Sequence, residues 1–515
     1  MNNKAKDMAV GMPADPEKRR LFPNASFAVL QVVVTSLTLF LLYRYLLSTE
    51  GIEALGVWSL VVAATSLASV SNLGFAGGTV RFVSKYLAHK DKRSAAMAAE
   101  TAAISLAVVM AVAVLVLWPI GVWLLGFIVP LKWLGLAHEL LPYTLLALWL
   151  NSVGGAIHSG LDGCHRADQR SLVTMAVQPA LLFLAYWLIP ITGIKGLAYA
   201  QVLQYLIWSG LGWLLLRNQL PALSILPWRW SRTMFLEMWR YSIRFQAISI
   251  LGILAEPLLK GLISHFGNLG AVGYFEMANR LVSQVRSLLV SANQVFVPYY
   301  SKLGETARDE IKALYIKNLN AIVVLGSFVF SSLVASLPLI SQIWIGYLEQ
   351  QFLLFSVILA CGWFVNVLAV PAYFANLGGG WIERNLYCHI AQTMTTFLVG
   401  VVGGMVAGAA GSATAWPLAL VVGAILVVYM FHRAEGIPLS IFVWPENIKV
   451  MILGSAIAVF SFTANLLVAD VVSEIGVAVT TLFVLLIGGL LFFIAIPQTK
   501  ALLNKLYHYI VLRQA

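Results

Sequence analysis

The sequence predicts an all-α, polytopic membrane protein with about 14 transmembrane helices. Three observations carry that prediction. Mean hydropathy is +0.85, and 60% of the 515 residues are hydrophobic against 11% charged, which excludes a soluble domain. A hydrocarbon core of about 30 Å needs about 20 helical residues, and uncharged stretches of that length recur along the whole chain. Strand-length alternation of apolar and polar residues is absent, which excludes a transmembrane barrel.

Breaking the chain at its charged clusters places helices from near Leu21, Ala54, Thr101, Leu140, Ser171, Gly196, Tyr241 and Asn268. Further helices start near Asn318, Gln351, Leu386, Gly411, Val450 and Ile475. No charge falls between Asn385 and Phe431, a length of about 70 Å as one helix. That stretch must therefore be two spans, with the turn at Gly408 to Ser412.

Alternate connections carry the Lys and Arg residues: Lys18 to Arg20, Arg81 to Arg93, Arg166 and Arg170, then Arg217 to Arg240. The same side continues with Lys302 to Lys317, Arg384, Arg433 and Lys449, and Lys500 to Arg513. The opposite loops offer little beyond Arg44, Lys132 and Lys195. Positive charge collects on the cytoplasmic side, so both termini face inward. The net charge of +11 is accounted for by such loops beside anionic lipid and asks for no nucleic acid. Residues 1 to 20 are polar and lack the apolar core of a signal peptide.

Laying the second helix over the eighth at a constant offset pairs Ala54, Gly56, Ser66, Val80, Ser84 and Lys85 with Ala271, Gly273, Ser283, Val297, Ser301 and Lys302. An offset of six helices keeps the copies parallel, as expected of two lobes related by an axis along the membrane normal. The expected organisation is a tail at 1–20, an N-lobe at 21–217 and a cytoplasmic linker at 218–240. A C-lobe at 241–433, a cytoplasmic loop at 434–449, helices 13 and 14 at 450–498 and a tail at 499–515 complete it.

The eighth helix holds the densest polar pattern. At about 100° per residue, Glu276, Asn279, Arg280, Ser283, Arg286, Ser287 and Gln294 share an arc of about 120°, with Leu281, Val282, Val285, Leu288 and Leu289 on the reverse face. The preceding helix adds Arg244, Glu256 and Lys260, with Pro257 as a kink site. Each charge at bilayer depth costs roughly 2.5 to 3.5 kcal/mol on insertion scales, so such residues usually face a wet cavity or a partner. Glu256 with Lys260, and Glu276 with Arg280, stand at i to i+4 with the acid N-terminal, a favourable order for simple ion pairing. Four cations against two carboxylates on these helices leave a positive surplus suited to phosphate or diphosphate.

Elsewhere the reading is structural. Gly400, Gly404 and Gly408 form overlapping GxxxG steps for close helix packing. Trp118, Trp123, Trp133, Trp228, Trp230 and Trp239 read as interface anchors. Glu100 reads as a solvated helix end. Cys164, Cys361 and Cys388 show no ligand or disulfide spacing, and His158 and His389 stand alone in apolar surroundings. No metal, phosphate-loop or nucleophile motif appears, and the external loops are short, so no enzymatic activity is expected.

The segment SNLGFAGGTVRFVSKYL resembles the signature ending the second helix of Wzx-type polysaccharide flippases, in the multidrug/oligosaccharidyl-lipid/polysaccharide (MOP) superfamily. LGAVGYFEMANRLVSQVRSLLVSANQVFVPYYSKL is similar to their eighth-helix segment. Asn72 stands where many relatives carry Asp, which removes a carboxylate-based cation role there. The resemblance implies an alternating-access flippase of the bacterial cytoplasmic (inner) membrane, moving an undecaprenyl-diphosphate-linked oligosaccharide from the cytoplasmic to the periplasmic leaflet. It also implies, as partners, lipid-linked oligosaccharide, membrane lipids and other polysaccharide-assembly proteins. In that frame Arg280 and Arg286 hold the diphosphate, Lys260, Arg44 and Asn279 assist, and Glu256 and Glu276 are candidates for coupling to a proton, a cation gradient or the membrane potential. No cofactor is expected. The alternatives are a lipid-linked peptidoglycan precursor flippase and a multidrug/cation antiporter of the same superfamily.

Overall fold

The computed structural model describes residues 16–66, 75–294 and 308–469, with isolated positions at 296, 300, 303, 486 and 489. Side chains at 16–29, 75–77, 241–254, 292, 308–309, 382, 443 and 467–469 are not among those described. The predicted fourteenth span, Asn72 and the eighth-helix proline of the resemblance lie outside the described residues, as does the side chain of Arg244.

In the first half of the chain α1 spans Pro16–Thr49, α2 Gly51–Ser66, α3 Phe75–Ala88, α4 Lys92–Ile128, α5 Leu131–Gly163, α6 Ala167–Thr192 and α7 Lys195–Gln219. In the second half α8 spans Arg232–Phe266, α9 Leu269–Gln294, α10 Arg308–Ile345, α11 Gln350–Leu368 and α12 Val370–Gly378. Then follow α13 at Ile382–Ala413, α14 at Ala415–Glu435, a 3-10 turn at Leu439–Val443 and α15 at Pro445–Ala469. Every predicted span before the fourteenth coincides with one of these helices or, for the second and tenth, with a consecutive pair. Among the described residues 9 helices are long and apolar enough to cross a membrane on length and composition alone. The charged α9 is not one of them.

The predicted division of the uncharged stretch holds. Ala407 (φ −134°, ψ 20°) and Gly408 (φ 60°, ψ −141°) break α13, and only glycine adopts the second conformation without strain. The chain then reverses: Ser412 Oγ donates to the Gly400 carbonyl at 3.0 Å, and a Cβ on Gly423 would meet the Gln392 side chain. The glycines on α13 serve close packing as predicted, since a Cβ on Gly400 would sit 2.6 Å from Leu262 of α8.

The chain forms two compact units that cut across the 21–217 and 241–433 lobes. The first comprises residues 1–42, 71–117 and 142–245. Its core gathers Val83, Ala99, Leu161, Trp213 and Leu216. Glu100, expected to be a solvated end, is fully buried. It accepts the backbone N–H of Ser224 at 2.8 Å and of Arg229 at 3.0 Å, and the Arg229 guanidinium at 2.5 Å. The linker folds back over the start of α4 because that carboxylate offers acceptors to its otherwise unpaired N–H groups. Trp230 also belongs to this staple, donating its indole N–H to Ser105 Oγ at 2.9 Å. His158 is not alone either: its ring stacks on Trp208 at 4.0 Å and 13°.

The second unit comprises residues 43–70, 118–141 and 246–515. Here α2 meets α9 through the glycines that the internal repeat paired. A Cβ on Gly273 would lie 2.6 Å from the Ile52 carbonyl oxygen, and one on Gly56 would collide with the carbonyl oxygen of Leu269. The repeat's offset of 217 positions exchanges the two contacts, carrying Gly56 onto Gly273 and Ile52 onto Leu269. Such reciprocity is what an approximate two-fold axis between two helices produces. Farther along, α15 is fixed on α10 by Ser461 and Asn465, both of which donate to the Ala335 carbonyl. The predicted thirteenth span, α15, is thus a packed part of this unit.

Candidate functional site

The charged residues of α8 and α9 divide into two places, both within the second unit. The first is centred on Glu276, whose side chain is 3% exposed. One carboxylate oxygen accepts from Arg280 Nε at 2.7 Å and Tyr43 OH at 3.0 Å; the other accepts from Lys260 Nζ at 2.7 Å and Ser59 Oγ at 3.1 Å. A carboxylate has about four lone-pair sites, and all are used. Lys260, 1% exposed, also pairs with Glu256 Oε1 at 2.6 Å. Both predicted i to i+4 pairs form, and the Lys260–Glu276 contact joins them into one four-member network.

The simple ion-pairing reading of these helices thus applies to both predicted pairs. Arg280 and Lys260, which the resemblance assigned to the diphosphate, are held by Glu276 and Glu256, and the positive surplus falls on Arg286 and Arg244. At low dielectric an unpaired charge would cost far more than the pairing does, so the acids one turn away and across the α8–α9 contact are taken first. Glu256 and Arg280 are the accessible members, their side chains 46% and 41% exposed. Arg44 is exposed at the end of α1, outside the network.

The second place is built around Arg286, ten residues and nearly three turns beyond Glu276 along α9. Its guanidinium lies over the indole of Trp363 on α11, 4.4 Å from the ring centroid. It has no acidic partner among the described residues, and its Nε is buried with no hydrogen bond. The Trp363 Nε1 is likewise buried and unpaired. Both line a cavity of about 290 Å³ that also includes Asn366, Tyr373, His389 and Gln392. His389, expected to be isolated, has Tyr373 OH at 3.4 Å from Nε2 and Gln392 Oε1 at 3.2 Å from Nδ1. Asn279, predicted beside the arginines, has a buried Oδ1 with no hydrogen bond and is not among the residues lining this cavity.

Sequence reading named Glu256, Lys260, Glu276, Arg280 and Arg286 but did not place Tyr43 or Ser59 beside Glu276, and it missed Trp363. A signal for the first two was present. The offset of 217 that pairs Gly56 with Gly273 also pairs Tyr43 with Lys260 and Ser59 with Glu276. Trp363 lies in an apolar run with nothing to separate it from a core residue.

The fold is shared with a solved structure of the MOP superfamily of transporters. It matches a structure described as the inward-facing conformation of a multidrug resistance MATE family transporter of that superfamily, with TM-score 0.68 and 15% identity, over 79% of this chain and 98% of the other. It also matches lipid II flippase MurJ in an inward closed conformation, with TM-score 0.68 and 12% identity, over 91% of this chain and 98% of the other. No curated protein matches in sequence. The sequence profile of a family described as polysaccharide biosynthesis protein matches residues 166–347. The chain has the fold of these membrane transporters and, over residues 166–347, sequence similarity to that polysaccharide biosynthesis family.

Proposed function

We propose that the protein flips an undecaprenyl-diphosphate-linked oligosaccharide, an O-antigen, capsule or exopolysaccharide repeat unit, from the cytoplasmic to the periplasmic leaflet of the bacterial cytoplasmic membrane. The observation that carries this reading is Arg286: a guanidinium inside a membrane domain, unmatched by acid among the described residues and bordering a cavity. A fixed positive charge there favours a substrate with anionic groups and disfavours a cationic drug. The polysaccharide-biosynthesis match over residues 166–347 supports the same substrate class. Arg286 is assigned to the substrate head, and Arg44 to an anion leaving at the outer surface. Arg280 and Lys260 are assigned to holding Glu276. Transport coupled to protons or cations would act first on Glu256, the carboxylate that solvent reaches.

The likeness to the lipid II flippase, extending over 91% of this chain, favours a second reading in which the cargo is a lipid-linked peptidoglycan precursor. The test is flipping in proteoliposomes, with a lipid-linked O-unit, lipid II and a cationic dye offered in parallel. The first is expected to move, and to lose about tenfold or more in rate on Arg286→Ala. Movement of lipid II alone selects the second reading. Dye export with no lipid-linked transport sinks both.

A further inference from the structure

The cavity beside Arg286 has a chemistry narrower than "anion". Its two buried, unpaired groups, Arg286 Nε and Trp363 Nε1, are both donors, so the missing partner is an acceptor. Trp363 is itself only 8% exposed, which makes its unmet N–H costly unless a ligand supplies the acceptor. One unmatched guanidinium balances one negative charge. A diphosphate would bring at least one further charge into the membrane interior without a counterion, at a desolvation cost that a single cation does not offset.

Size and wall point the same way. At about 290 Å³ the cavity sits at the lower end of the roughly 300–1,000 Å³ typical of small-molecule sites, room for one ring rather than a chain of them. The walls combine aromatic faces, Tyr373 and Trp416, with the amides of Asn366 and Gln392. Aromatic faces accept the C–H side of a pyranose, and amides serve its hydroxyls as donor and acceptor. A bare inorganic anion would use neither. The Trp363 ring 4.4 Å away fixes where the guanidinium sits, and a planar carboxylate matches its paired donors. In the positive-inside orientation, residues 286–294 lie toward the cytoplasmic end of α9, the side from which an exported glycan is loaded.

Resting on the flippase reading, we propose that this cavity is a subsite for one acidic sugar of the cargo glycan, a hexuronate whose carboxylate engages Arg286 and Trp363 Nε1 while its ring contacts the aromatic and amide walls. The subsite reads the glycan, and the diphosphate is held elsewhere.

The test uses the purified full-length protein in nanodiscs and three soluble probes: glucuronate, glucose and inorganic phosphate. Binding is followed by saturation-transfer NMR. Glucuronate is expected to bind about tenfold or more tightly than glucose, and the difference to vanish in Arg286→Gln. Trp363→Phe keeps the ring, loses the N–H and is expected to weaken glucuronate about threefold or more. Should Arg286→Gln fail to fold, Trp363→Phe and Gln392→Leu carry the test, and unchanged affinity in both overturns the proposal. Equal binding of glucuronate and glucose overturns it, as does no binding. Phosphate binding as tightly as glucuronate overturns it in favour of a lipid-phosphate site. Any of these results with lipid-linked flipping intact removes the subsite and leaves the flippase reading standing, whereas uronate binding without flipping does the reverse.

Discussion

Arg280 and Arg286 stand on the same helix, six positions apart, and have opposite fates. Arg280 is held by Glu276, a carboxylate whose four hydrogen-bonding positions are all filled. Arg286 has an indole under it and a cavity beside it, with its Nε unsatisfied. A charge in a membrane helix is therefore not yet a binding site. It becomes one only when no acid lies within reach to neutralise it, and that depends on which neighbouring helix it faces. Around Glu276 the neighbours supply Lys260, Tyr43 and Ser59; around Arg286 they supply aromatic rings and amides.

The contrast is breakable by substitution, and the largest effect is expected at the filled site. Glu276→Ala strands two cations, one of them buried, and should lower the stability of the purified protein by about 3–5 kcal/mol. Thermal unfolding in detergent reads this directly, and a loss under about 1 kcal/mol would show that the network is a surface-like one. Tyr43→Phe removes one hydrogen bond to the same carboxylate and is expected to cost about 1.5–3 kcal/mol. No change at all would mean that the contact bridging the two sequence halves is incidental.

Next in size is the glycine pair that lets α2 and α9 approach. Alanine at Gly56 or Gly273 places a methyl against backbone oxygen and should cost about 1–3 kcal/mol in each case. Similar losses on the two sides sharpen the pseudo-symmetric picture, and a silent substitution on one side breaks it. The smallest stability effect is expected at Arg286. Arg286→Gln removes an uncompensated charge and should leave stability within about 0.5 kcal/mol of the parent or slightly above it, while transport falls. A large stability loss there would show that Arg286 is a packing residue like its neighbour, and the distinction between the two sites would collapse.

Much of this was legible in the sequence. The span boundaries followed from the charge clusters because a helix in lipid must satisfy its backbone internally and excludes charge over its length. The turn at Gly408 followed from length, and the i to i+4 pairs from helical periodicity. The two-fold relation was also present in the sequence, since the offset that pairs Gly56 with Gly273 brings Ser59 to Glu276. Glu100 shows where such reading fails. At a helix end it looks solvated, and only the linker's return over α4 buries it.

What the sequence alone determined is the solvent the chain folds in, its helices and its pseudo-repeat, because hydropathy and periodicity are local properties carried by each segment. Which cations were spent on internal acids, and which stayed open to a ligand, was decided by the tertiary structure. Electrostatic neutralisation at low dielectric acts over a few ångströms in space, and the residues that meet there, such as Tyr43 with Glu276 or Arg286 with Trp363, are far apart along the chain.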